Sequence, residues 1–77
     1  MRISVLDTDA GYIPIDDTQL YEIFLNEVRQ QGVLTADEDQ GFVFRYQTDA
    51  NGDLVVERNE ALTETVTGNV RIVKTGR

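Results

Sequence analysis

Carboxylates are the chemistry-bearing side chains of this 77-residue chain, which holds 14 Asp and Glu against 7 Lys and Arg and has no His and no Cys. Without His the commonest general base and the usual zinc or iron ligand are missing, and every His-containing triad is excluded. Without Cys there is no thiolate nucleophile, no Cys-built zinc or iron–sulfur site and no disulfide. Ser4 is the only serine and has no His to activate it. The glycines (Gly11, Gly32, Gly41, Gly52, Gly68, Gly76) are scattered one per turn, so no Gly-rich phosphate loop is present.

Three kinds of work remain for the acids. The first is metal binding. Asp49, Asn51, Asp53 and Glu60 occupy positions 1, 3, 5 and 12 of a calcium-loop pattern, but Leu54 stands where that loop requires Gly. The flanks alternate as strands, so a hairpin turn explains this stretch better. Asp7, Asp9, Asp16 and Asp17 could ring a hard cation, yet turn and helix-cap roles already account for them. The second is acid–base catalysis by Asp37 with Glu38 or Glu57 with Glu60. These pairs fall in loops or at a strand end, without the pocket that shifts a pKa. The expectation is therefore no metal, no cofactor and no enzymatic activity.

The third is electrostatic docking. Residues 1–68 carry all 14 acids and four bases, a net −10, whereas residues 69–77 add only Arg71, Lys74 and Arg77. Such a surface repels phosphate backbones and anionic membranes and attracts basic protein surfaces. The same charge also serves solubility. Asp37, Glu38 and Asp39 are the first candidates for a partner contact, followed by Asp16, Asp17 and Glu22. Carboxylates spaced along one face would imitate a nucleic-acid backbone and fill the groove of a nucleic-acid-binding protein.

The elements that must position these acids follow from periodicity. Arg2–Leu6 reads as a short strand, residues 7–11 as a turn, and residues 12–15 as an extended piece that could close a small hairpin. A helix is predicted over residues 17–31. Asp16 serves as N-cap, Gln19 completes a capping box, and Ile15 with Leu20 forms a staple. Leu20, Ile23, Phe24 and Val28 make the apolar stripe, and Gly32 is the C′ residue. Residues 35–38 read as a helical turn or an acidic loop.

Residues 41–58 read as a hairpin with the three-residue loop Ala50-Asn51-Gly52. That register pairs Thr48 with Leu54, Tyr46 with Val56 and Arg45 with Glu57, and places Gly52 in a left-handed bulge position. Residues 61–67 are rich in β-branched types, Gly68-Asn69 reads as a tight turn, and Val70–Lys74 as a last strand. The expected fold is α+β: a single domain over residues 1–77, with one α-helix packed on one face of a four- to five-stranded antiparallel sheet in the order β-(β)-α-β-β-β-β.

In size, acidity and lack of Cys and His, the chain resembles short accessory proteins of bacteriophages and mobile elements, some of them inhibitors and others pieces of virions. The functional expectation is a cytoplasmic, non-enzymatic protein-binding module that docks an acidic surface on a basic, nucleic-acid-binding partner. The alternative is an assembly subunit that associates through strand edges near Tyr12–Ile15 or Val70–Lys74.

Overall fold

The computed structural model describes residues 1–14 and 20–75, and these form an all-β structure rather than the expected α+β one. Nine strands are present: β1 Arg2–Ser4, β2 Tyr21–Leu25, β3 Val28–Arg29, β4 Val33–Asp37, β5 Phe42–Tyr46, β6 Val56–Glu57, β7 Glu60–Ala61, β8 Thr63–Thr67 and β9 Val70–Lys74. They make a four-stranded sheet in the order β1-β4-β5-β8, a three-stranded sheet in the order β3-β2-β9, and the small hairpin β6-β7. All of these strand pairs are antiparallel.

The helix is the main correction. Its proposed start at Ile15–Gln19 lies outside the described residues, but its body is β2 and β3. Residues 20–28 satisfy two periods at once. Leu20, Ile23, Phe24 and Val28 fit a helical stripe, while Tyr21, Ile23 and Leu25 alternate with Glu22 and Phe24. The strand period wins because Tyr21, Ile23 and Leu25 all pack in the core and β2 pairs along its whole length with β9. Asn26 and Glu27 both take positive φ (51° and 67°) and turn the chain back after Leu25, where a helix would continue. Asn26 also holds the crossing segment, its amide N–H bonding Asn69 O (2.8 Å) and its Oδ1 accepting from Asn69 N (2.9 Å).

Other expectations are met in part. The turn after β1 closes as expected, with Asp9 Oδ1 accepting from Gly11 N at 2.8 Å. Residues 11–13 then return beside β1 in parallel rather than as a hairpin, since Ser4 N bonds Gly11 O and Ile13 N bonds Ser4 O. Residues 33–37 are strand, not helical turn, and Asp37 Oδ1 caps Gln40 N in the turn that follows. Thr48 does pair with Leu54, and Gly52 has φ +84°. The register further along differs: Arg45 faces Glu64 and Tyr46 faces Thr63, because β6 folds away to pair with β7. Gly68-Asn69 links the two larger sheets instead of closing a hairpin.

Ile3, Ile23, Ala36, Val43 and Val70 form the buried centre between the two larger sheets, with Ile13, Tyr21, Leu25, Val33, Val66 and Ile72 packed around it. The β5 aromatics Phe42, Phe44 and Tyr46 share the opposite face of their strand from Val43, as a period of two requires, and are half-buried there. Among the described residues there is no helix long and apolar enough to cross a membrane.

Candidate functional site

The six acids singled out as partner contacts have different surroundings. Asp37 is buried, at 5% exposure, and its Oδ2 accepts from Arg2 at 3.0 Å. Arg2 also makes a bidentate pair with Asp9 (2.8 and 2.7 Å) and lies over the Phe42 ring at 5.3 Å. Glu38 reaches into the other large sheet, where its Oε2 accepts from Ile72 N at 2.9 Å. Asp39 has a side chain 90% exposed, at 3.9 Å from the Met1 amino group. Glu22 is half-buried and 3.7 Å from Arg29. Asp16 and Asp17 lie outside the described residues. The trio 37–39 therefore holds one ion-pair anchor, one cap on a neighbouring strand and one solvent-facing charge. The sequence could not show this, because Arg2 and Ile72 are remote along the chain.

These interactions set a pH response. The Arg2 guanidinium and the Gly11 N–H hold the Asp9 carboxyl down from an ordinary 3.8 to about 2. The Gln40 N–H and Arg2 lower Asp37, and the Ile72 N–H lowers Glu38. A carboxylate depressed in the folded state stabilises it above its unfolded pKa, and that contribution disappears as pH falls through the folded value. The urea midpoint should hold near neutrality and fall between about pH 4 and about pH 2. Asp9→Asn should flatten that fall; an unchanged slope would show that the Arg2 cluster is not its source.

The surface charge concentrates elsewhere. Four of the seven basic side chains are engaged internally: Arg2 with Asp9 and Asp37, Arg29 with Glu22, Arg45 with Glu64, and Arg71 with Glu27. Glu38 and Asp39 face the Met1 amino group. Among the described residues, Asp7, Asp49, Asp53, Glu57 and Glu60 are left without a basic partner, and all but Asp7 lie within residues 47–62.

That segment is an arm built on a fork in the β5–β8 ladder. Gln47 N bonds Leu62 O, but Val55 enters between the strands: Val55 N bonds Gln47 O, and Leu62 N bonds Val55 O. Two short hairpins splay from the fork. One turns at Asp49–Asp53, where Asp49 Oδ1 accepts from Asn51 N and Asp53 N. The other is β6-β7, whose loop residues Arg58 and Asn59 take positive φ of 50° and 66°. Leu54 and Val56 are 51% and 58% exposed on this arm. The result is an exposed apolar pair on an arm that also carries four carboxylates and Arg58. The Asn51-Gly52 turn was legible beforehand; the second hairpin was not, because Arg58-Asn59 is an uncommon pair for two successive positive φ values.

Among the described residues, no group of three Asp or Glu side chains is placed to hold a metal ion. A shallow cleft of about 310 Å³ lies between β3 and the base of the arm, lined by Arg29, Gln30, Arg45, Tyr46 and Glu64 among others. Arg45 is already bound there by Glu64 (2.9 Å) and Gln30.

The strand edges differ in how they are covered. The outer groups of β1 at Ser4 are taken by Gly11 O and Ile13 N, so the stretch beginning at Tyr12 protects an edge. Strand β9 is an edge, as expected, but Glu38 occupies its central outward donor, Ile72 N. Strand β3 is two residues long. Strand β8 is the edge that sequence reasoning did not single out. Compared with known proteins, the chain matches no family model, no curated protein and no solved structure.

Proposed function

We propose that this chain is an intracellular, non-enzymatic protein-binding module that docks an acidic surface on a basic partner, with residues 47–62 carrying the main contact. The observation behind this reading is the uneven compensation of charge. Internal ion pairs consume most of the bases, while Asp49, Asp53, Glu57 and Glu60, with exposed Leu54 and Val56 and the single base Arg58, lie on one short segment. An excess of uncompensated carboxylates steers and selects basic surfaces, and an apolar pair among them supplies contact area. A nucleic-acid-binding groove is a partner of suitable chemistry, which agrees with an inhibitor of the kind carried by bacteriophages and mobile elements. Asp39, at the opposite end of β5, offers a smaller acidic point.

The test is capture from source-cell extract on the immobilised chain, eluted with a salt gradient. The triple variant Asp53→Lys, Glu57→Lys, Glu60→Lys should weaken capture on the order of tenfold and move elution to lower salt. The comparison variant Asp39→Lys should have the smaller effect. Elution unchanged by either variant would refute acidic docking.

A second reading, an assembly subunit joined through a strand edge, is favoured by one observation, the edge of β8 that no other described residue covers.

A further inference from the structure

We infer that strand β8 is a self-pairing edge, through which two copies of the chain join antiparallel about a two-fold axis at Thr65. In the β5–β8 ladder, Gly41–Gly68 and Gln47–Leu62 are hydrogen-bonded positions, with Gly68 N on Gly41 O and Gln47 N on Leu62 O. The alternation of an antiparallel ladder then turns Val66 and Glu64 toward β5 and turns the N–H and C=O of Thr63, Thr65 and Thr67 outward. Among the described residues, Thr65 and Thr67 have no partner for these groups, and only Thr63 O is engaged, by Gln47 Nε2 at 3.0 Å. β8 lacks the usual edge guards. It has no Pro, no Lys and no bulge, and its one charge, Glu64, is neutralised by Arg45 at 2.9 Å.

The same sequence read against itself gives a matched ladder. With Thr65 opposite Thr65 of the second copy, Thr63 meets Thr67 and Glu64 meets Val66. Every outward N–H then faces an outward C=O, Thr stands against Thr, and no like charges are opposed. The sheet order β1-β4-β5-β8 continues across the axis into the second copy. The antiparallel arrangement also sends the two acidic arms to opposite ends of the joined edge, because each arm leaves at the Thr63 end of β8. The two −7 chains can therefore approach without opposing their most charged segments. This surface is distinct from the arm, and the salt responses differ in sign. Screening weakens docking on a basic partner and strengthens pairing of two acidic chains.

The experiment is sedimentation or light scattering across a wide dilution series, with amide hydrogen exchange and two cysteine variants. The expected result is a dimer favoured by moderate salt, with the Thr65 and Thr67 amides slowing as concentration rises. Thr65→Cys should cross-link on oxidation, since the directly opposed Cα atoms lie within disulfide reach, and Thr67→Cys should not. The chain has no other cysteine to confuse the result. Thr65→Lys opposes two ammonium groups only in the dimer, on an exposed face of the monomer, and should leave a folded monomer. A chain that stays monomeric throughout, or a dimer indifferent to Thr65→Lys and cross-linked equally at 65 and 67, would overturn the inference.

Discussion

Replacing Gly41 with alanine will cost roughly 2–4 kcal/mol of folding stability, from left-handed backbone strain plus steric overlap. Gly41 has φ +71°, and a Cβ placed there would lie 2.8 Å from Gly68 O. The neighbour is backbone and is itself fixed, because Gly68 N donates to Gly41 O at 3.0 Å and Gly68 leads into the link between the large sheets. Neither side can yield without opening the end of the β5–β8 ladder. Gly52 supplies the control. Its φ is also positive, at +84°, but a Cβ there meets nothing within 4 Å, so Gly52→Ala should cost only about 1–2 kcal/mol. Urea unfolding of the two variants against the parent measures the difference. Equal midpoints would show that the Gly41–Gly68 contact carries no weight.

Truncating Val43 to alanine will remove about 2–3 kcal/mol, two buried methyl-sized groups plus the cavity they leave. Val43 is completely buried near the middle of β5, an interior strand of the four-stranded sheet, and among the described residues the buried centre has only four other apolar members. A chain of this length has roughly 4–11 kcal/mol of total stability, so the loss is a large share of it. Val66→Ala, on the same ladder but only half-buried, should cost less. A thermal or urea midpoint for Val43→Ala no lower than that for Val66→Ala would contradict this account of the core.

The sequence was most informative where the determinants are local. The alternating Phe42–Tyr46, the run Val70–Lys74 and the segment from Arg2 read as strands from their own residues, although β1 ends at Ser4 and not at Leu6; residues 59–69 read as either strand or loop, and the structure makes strands of Glu60–Ala61 and Thr63–Thr67. Thr48 opposite Leu54 and a left-handed Gly52 followed from face matching across a short loop. Residues 20–29 misled because their own pattern is consistent with both periods. The deciding contact, β2 on β9, is distant in sequence. The acids followed the same logic. Asp9 could be read as a turn residue from Gly11 two positions on, whereas the burial of Asp37 depends on Arg2 and the capping role of Glu38 on Ile72. The arm was legible as a turn at Asn51-Gly52 but not as a fork, since Val55 gives no local sign that it will separate Gln47 from Leu62.

The pairing of β2 with β9 has a consequence for how the protein comes into being. β2 has a short partner at once in β3, but its long partner, β9, follows only after β4 to β8. Until β9 arrives, Tyr21, Ile23 and Leu25 have only half a sheet and no closed core to enter. Loop closure over most of the chain must precede the reward, which places such a topology among the slower folders for its size. Completion of the sandwich is thus tied to the arrival of β9. The nascent chain passes through an interval in which its most apolar strand is shielded on one edge alone, and in which a chaperone would find its natural point of contact.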